Sequence, residues 1–358
     1  MHNKTLHGRW MTQEFETDLV SVIVPTYNRA YCIEQTLDSV RKQTYRPIEI
    51  IVVDDGSSDN TEDVLTQWIK KHDDGQQLTC RYFFQTNSGV CAARNLALIH
   101  CKGEFIQFLD SDDIIHANRF EKVIGLFKSS SCDYVETGFE GFCSDCGEAY
   151  EKHYGHVDRD QIELLVRGSL WPNTLRPTYR RSLVYRTGPW NEEMTTFQDY
   201  EYVIRALLPD THCCAVRDIL AGARRGGKGR MSDIFLTKEG RELRIYCECL
   251  LRDRIIDNHK ISMDAKRFFA MRIYGLGIRS NAAGWTDLGS RCYAVADSMR
   301  VELDGRGKLK RLICRMGRWG GIVHEMLYRF KNIVFGLDRA ATLRHECCKK
   351  PVDSQSSD

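Results

Sequence analysis

No apolar run in these 358 residues approaches the roughly 18–20 residues that cross a bilayer, so no membrane-spanning helix is expected. The first 18 residues set Lys4, Arg9, Glu14, Glu16 and Asp18 around no apolar stretch, which argues against a secretory signal. Proline is scarce, at 7 residues, and 27 glycines fall far short of a collagen-like or linker-dominated chain. An excess of one charge is missing too. The 51 Lys and Arg face 49 Asp and Glu, for a net charge of +2. That balance gives no global case for a nucleic-acid partner, and none is expected. No internal repeat is visible.

The residues that are present make an ordinary globular composition, 42% hydrophobic and 28% charged. The length suits two domains, or one large domain with an appendage. The 15 cysteines are odd in number and scattered, which reads as reduced thiols in a cytoplasmic protein. Cys143-x-x-Cys146 has metal-like spacing, but no second pair follows at a plausible distance. A turn at Ser144-Asp145 between two strands is the plainer reading.

Hydrophobic patterning predicts strands at 20–24, 48–53, 81–85 and 104–109. Helices are predicted between them, at 32–43, from about 60 to 71, and at 88–101. Beyond Asp113 the alternation loosens. Strands are expected at 133–142, 150–156 and 212–217, and helices at 158–167 and 197–208. From Ile234 to about residue 338 the pattern is mainly helical. This order predicts an α/β fold with an open, mostly parallel sheet flanked by helices, and a mainly helical C-terminal region. The divisions expected are an extension over 1–19, the α/β domain over 20–222, a helical region over 223–350 and a disordered polar tail over 351–358.

In open α/β sheets, ligands bind beyond the carboxyl ends of the strands. Three of the expected ends carry unusual residues: Pro25-Thr26-Tyr27-Asn28, Asp54-Asp55, and Asp110-Ser111-Asp112-Asp113. Carboxylates this close repel, and a divalent cation relieves the repulsion. Oxygen ligands suit Mg²⁺ or Mn²⁺, and Mg²⁺ takes only one or two carboxylates before completing its shell with phosphates and water. Asp-x-Asp after a strand therefore suggests a metal–diphosphate site, against the plain reading of a solvated turn. One of Asp54 and Asp55 can form the turn, leaving the second to accept from a base N–H. Tyr27 can stack on a base or simply pack.

Four segments together resemble a family 2 glycosyltransferase of the GT-A fold. They are residues 20–29 (VSVIVPTYNR), 52–61 (VVDDGSSDNT), Asn87-x-Gly89 with Ala93-Arg94-Asn95, and 108–113 (FLDSDD). Order and spacing match over about residues 20–220, and the C-terminal third lies outside the resemblance. The resemblance implies that Pro25 and Tyr27 line the nucleoside pocket and that Asp55 binds the base, usually uracil. It implies that Arg94 holds the donor. Asp110, Ser111 and Asp112 become the Asp-x-Asp loop on the donor, with Asp110 and Asp112 as metal ligands and Asp112 the more direct. The catalytic base it implies is Asp199, in Phe197-Gln198-Asp199-Tyr200-Glu201, where Gln198 departs from the usual acid. The Gln-x-x-Arg-Trp motif of processive synthases is absent from the sequence.

The expected reaction is metal-dependent, inverting transfer from a nucleotide sugar, a UDP-sugar by the resemblance, to a saccharide or lipid-linked acceptor, as in bacterial surface polysaccharide synthesis. Mn²⁺ or Mg²⁺ is the expected cofactor. At the start of a helix, the Asp199 carboxylate is expected to be ionised. A catalytically silent sugar-nucleotide-binding subunit is the alternative reading, and a nucleotidyltransferase a third. Arg224, Arg225, Lys228 and Arg230, in a Gly-rich stretch, suit either a loop closing on a diphosphate or a solvated linker. Trp171, Tyr179 and Trp190 suit an acceptor platform or core. Residues 300–331 hold nine Lys and Arg against three Asp and Glu, with apolar residues at helical spacing. A basic amphipathic helix over 306–331 can lie on an anionic membrane or pack on the catalytic domain. The expected location is cytoplasmic, peripheral at the inner membrane face if that helix docks.

Overall fold

The computed structural model describes residues 15–322 apart from 144–147, 158–159, 171, 208–210, 226–236 and 257–260. Cys146, Trp171, Lys228, Arg230 and the basic residues beyond 322 lie outside the described residues, as does the expected tail.

One sheet organises the chain. Strands β1 (Glu16–Thr26), β2 (Ile48–Asp54), β3 (Leu78–Phe84) and β4 (Gly103–Phe108) pair parallel in the order β3-β2-β1-β4. Their register sets Thr26 opposite Asp54, and Asp54 opposite Phe84. The carboxyl ends therefore open onto one edge. β2 (IEIIVVD) is buried along its whole length, as a central strand covered on both faces must be. At the far edge buried Glu49 accepts from Ser21 Oγ at 2.6 Å, Gly103 N at 3.1 Å and Arg81 Nη2 at 2.7 Å, which ties the four strands together.

The second half of the sheet departs from the mostly parallel expectation. β8 (Pro177–Arg180) enters antiparallel to both β4 and β6 (Tyr134–Cys143), β9 (Cys213–Arg225) runs parallel to β6, and β5 (Ile114–Ile115) and β7 (Ala149–His153) add antiparallel edges. The sheet is mixed. Short β5 and β8 carry too few residues to show a period, and β9 runs eight residues past its expected end at 217.

Helices cover both faces. Val20, Val22 and Val24 of β1 pack with α1 (Ile33–Arg41), α2 (Thr61–His72) and α4 (Arg119–Ser129). Ile23 points to the other face, as alternation requires. It joins a core holding α3 (Val90–His100), α5 (Gln161–Arg167), α6 (Arg181–Thr187) and α7 (Gln198–Ala206). The same core continues through α8 (Lys238–Leu251), α9 (Met263–Ala282), α10 (Thr286–Ser298) and α11 (Gly305–Arg315). The helical region is thus packed directly behind α7. Glu248 of α8, 1% exposed, pairs with Arg244 at 2.6 Å and Arg272 at 2.9 Å, and the Tyr200 hydroxyl of α7 donates to it at 3.4 Å.

Candidate active site

The loops at the carboxyl edge are fastened to one another. After β1, Asn28 takes a positive φ of 51°, and its side-chain oxygen accepts from Ser58 N at 2.8 Å. Its own N–H donates to Ser57 Oγ at 2.8 Å, and the next amide, of Arg29, donates to Thr61 Oγ1 at 3.0 Å. The first two motifs therefore form one clipped unit. Pro25 is buried at the strand end, while Tyr27 stands open at 46% exposure.

Asp54 is the turn former, accepting from Ser57 N at 2.8 Å. Asp55 is not left free as the sequence reading expected. Its carboxylate accepts from Gln85 Nε2 at 2.7 Å, Ser88 N at 2.7 Å and Gly89 N at 2.9 Å. It thereby shapes the loop leading into α3. Gly56 (φ 84°) lies so near this loop that a Cβ would stand 2.9 Å from Asn87 N, so only glycine fits the turn.

The centre of the site is Arg94. It sits inside α3, 2% exposed, with its guanidinium 4.3 Å over the Trp190 ring. Nη2 donates to Asp110 Oδ1 at 2.9 Å, and Nη1 to Asp199 Oδ1 at 3.4 Å. Burial opposes its charge, but the two carboxylates outweigh that and hold it above the ordinary arginine value. Thr174 makes a second bridge. Its hydroxyl donates to Asp110 Oδ2 at 3.2 Å, and its amide N–H bonds the Asp199 carboxylate. Asp199 lies in the first turn of α7, where the helix end favours the anion. Burial nevertheless pushes its carboxyl up to about 6, with Arg94 pulling it down and Asp110 repelling it. Desolvation thus sets the direction of the shift, and with a value of about 6 the Asp199 carboxyl is still mostly ionised at pH 7.

Asp112 is the second member of the acidic turn. Burial and then repulsion from Asp110 raise its pKa, while Arg29, 3.7 Å away, lowers it. Arg224 at the end of β9 donates from Nε to the Asp112 carbonyl at 2.9 Å and from its amide to Asp113 Oδ1 at 2.9 Å. Ser111 is buried, and its carbonyl accepts from Thr36 Oγ1 at 2.9 Å. This donor set fits a hard divalent cation at Asp112, whose carboxylate is a destabilised anion about a third exposed. Asp110 fits less well as a direct ligand, because both its oxygens already accept from protein. Among the described residues no cluster of three or more His, Cys, Asp or Glu surrounds the spot, so a cation here would complete its shell with water and phosphate.

The edge thus brings together Pro25, Tyr27, Asp55, Arg94, Asp110, Ser111, Asp112 and Asp199. Tyr179 and Trp190 do not belong to an acceptor platform. They are 3% and 2% exposed and pack edge-on against Phe108 in the core. Arg29 and Thr174 join the site without a pattern that marks them in the sequence. Arg29 closes the first motif, residues 20–29, but its partner Asp112 is 83 residues away; Thr174 lies in an irregular segment.

A mixed sheet with acidic loops at its carboxyl edge and helices on both faces defines a GT-A fold. Residues 21–187 match the family described as Glycosyl transferase family 2, so the chain carries a domain of that family. TuaG of Bacillus subtilis, provisionally named a teichuronic acid biosynthesis glycosyltransferase, is 39% identical over 127 residues, covering 36% of this chain and 49% of TuaG. WfgD of Escherichia coli, named a UDP-Glc:alpha-D-GlcNAc-diphosphoundecaprenol beta-1,3-glucosyltransferase, is 38% identical over 122 residues, 34% of this chain and 46% of WfgD. The matches span about half the length of these curated relatives. The crystal structure of S. aureus TarS 1-349 in complex with UDP-GlcNAc superposes with a TM-score of 0.65 at 20% identity, over 85% of this chain and 88% of that one. At that identity the likeness concerns the fold.

Proposed function

We propose that the protein is an inverting glycosyltransferase that moves a sugar from a UDP-sugar to a saccharide or lipid-linked acceptor in bacterial surface polysaccharide synthesis. The observation that carries this reading is the pair of carboxylates, Asp110 and Asp199, held by one buried arginine at the edge where the donor loops meet. The names of WfgD and TuaG supply the acceptor class, and the ligand in TarS supports the donor. The catalytic unit is residues 20–222, braced from behind by the helices that follow. The working place is the cytoplasmic side of the membrane that carries the acceptor.

Pro25, Tyr27 and Asp55 form the nucleoside end of the donor site, with Tyr27 free to stack. Asp55 acts chiefly by shaping the 85–89 loop and offers a base N–H only its remaining lone pairs. Asp110, Ser111 and Asp112 face the diphosphate. Asp112, with Asp110 behind it, would hold a Mn²⁺ or Mg²⁺, which would supply charge neutralisation for the leaving diphosphate. Asp199 accepts the proton of the acceptor hydroxyl as that oxygen bonds to the anomeric carbon and the bond to the diphosphate oxygen breaks. One displacement inverts the centre through an oxocarbenium-like transition state. Arg94 and Thr174 fix where Asp199 points.

A panel of UDP-sugars, with and without Mn²⁺ or Mg²⁺ and with a lipid extract as acceptor, tests the proposal through UDP release. Release that needs both cation and acceptor is the expected result. Donor binding with no release under any combination supports a silent binding subunit instead.

A further inference from the structure

Helix α11 and the turn that follows leave an apolar ridge uncovered. Leu309, Leu312, Met316 and Trp319 are 52%, 58%, 44% and 72% exposed. The first three recur at spacings of three and four, so they share one face of the helix. The chain then turns at Gly317 (φ 57°), and Trp319 follows. The other side is firmly held: Ile313 and Cys314 are buried, Asn281 Nδ2 donates to the Cys314 carbonyl at 3.1 Å, and Gly277 of α9 admits Cys314 only because it has no Cβ. The ridge is therefore presented outward by a helix anchored on its opposite face. Single exposed leucines are unremarkable, but four large apolar side chains in a row mark a contact surface.

Residues 305–322 carry six cations, Arg306, Lys308, Lys310, Arg311, Arg315 and Arg318, and no acid. Arg306, Lys308, Arg315 and Arg318 are exposed. We infer that this face of α11 docks on an anionic lipid bilayer, with the ridge in the acyl boundary and the cations at the head groups. A ridge of Leu, Met and Trp flanked by Lys and Arg has the chemistry of an interfacial helix. Two other occupants fit less well. A second copy docked by the same face sets the exposed cations of one copy against those of the other. The chain's own residues 323–358 hold six Lys and Arg against five Asp and Glu, and so provide no counter-charge.

The test is co-sedimentation of the full chain with phosphatidylglycerol–phosphatidylcholine vesicles and with phosphatidylcholine vesicles alone. It needs neither donor nor cation, so its outcome is independent of the transfer reaction. Binding to the phosphatidylglycerol vesicles is expected, falling about tenfold or more in Leu312→Ser/Trp319→Ser and in Lys308→Glu/Arg315→Glu, because apolar insertion and charge contribute together. Phosphatidylglycerol with brominated acyl chains is expected to quench tryptophan fluorescence in the parent protein and not in Trp319→Phe. These side chains lie outside the core, so circular dichroism and the thermal transition should be unchanged. Absence of binding overturns the inference, as does equal binding to both vesicle types or quenching that persists without Trp319.

Discussion

Arg94, buried within α3, reaches Asp199 at the start of α7 across 3.4 Å. The two residues are 105 positions apart, and the contact joins the donor half of the site to its proposed base. Arg94→Met leaves Asp199 and Asp110 without their shared cation. Because both acids keep some contact with water, the stability loss is expected near the low end for a broken buried pair, about 3 kcal/mol. Arg94→Lys keeps the charge but loses the fork, and transfer is expected to fall about 100-fold because the base is misplaced. Urea unfolding and initial rates of UDP release check the two variants.

Thr174 offers a finer probe of the same arrangement. Thr174→Val preserves shape and the amide N–H to Asp199 but removes the hydroxyl that donates to Asp110. A lost hydrogen bond to a charged acceptor is worth about 1.5–3 kcal/mol, so kcat is expected to drop roughly 10- to 100-fold. Thr174→Ser is expected to restore most of it. If Val and Ser behaved alike, the hydroxyl has no positioning role.

Asp199 titrates at about 6, well above the ordinary value of 3.8. A base must be unprotonated, so kcat/KM is expected to rise as pH climbs through about 6 and then to level. The sign for stability is the reverse. The folded protein binds this proton more tightly than the unfolded chain does, so the contribution is present at low pH and is lost as pH rises through about 6. Asp199→Asn is expected to abolish transfer while leaving donor binding intact. Rates from pH 5 to 8, with calorimetric donor titration of the variant, check both; normal turnover by the Asn variant places the base elsewhere.

The carboxyl edge of the sheet was legible because its parts are local. β1, β2 and β4 carry short, largely apolar stretches that stop at polar residues, and Pro25, Asp54, Asp55 and Asp110 sit at those stops. What the pattern does not contain is pairing between distant segments. β8 has four residues and begins with proline, so its antiparallel entry, which makes the sheet mixed, leaves no periodic trace. The three donors to Asp55 come from residues 30 to 34 positions away. Trp190 and Tyr179 look alike as core or platform in sequence, and only the fold around Phe108 decides for core.

The C-terminal helices reach the site through Glu248. Its carboxylate joins Arg244 and Arg272, and the Tyr200 hydroxyl donates to it from the residue after Asp199. Glu248→Gln leaves two guanidinium groups without their acid in a place where Glu248 is 1% exposed. Breaking such a cluster costs about 3–5 kcal/mol, to be read from the urea midpoint. The Tyr200 hydroxyl would keep only a neutral amide acceptor in place of the carboxylate, so α7 should loosen and transfer should fall more than donor affinity. Calorimetric binding of UDP should stay within about twofold if the brace acts only through α7. A variant as stable as the parent, or one that loses UDP affinity as steeply as rate, would show that the helical region does not steady the base in this way.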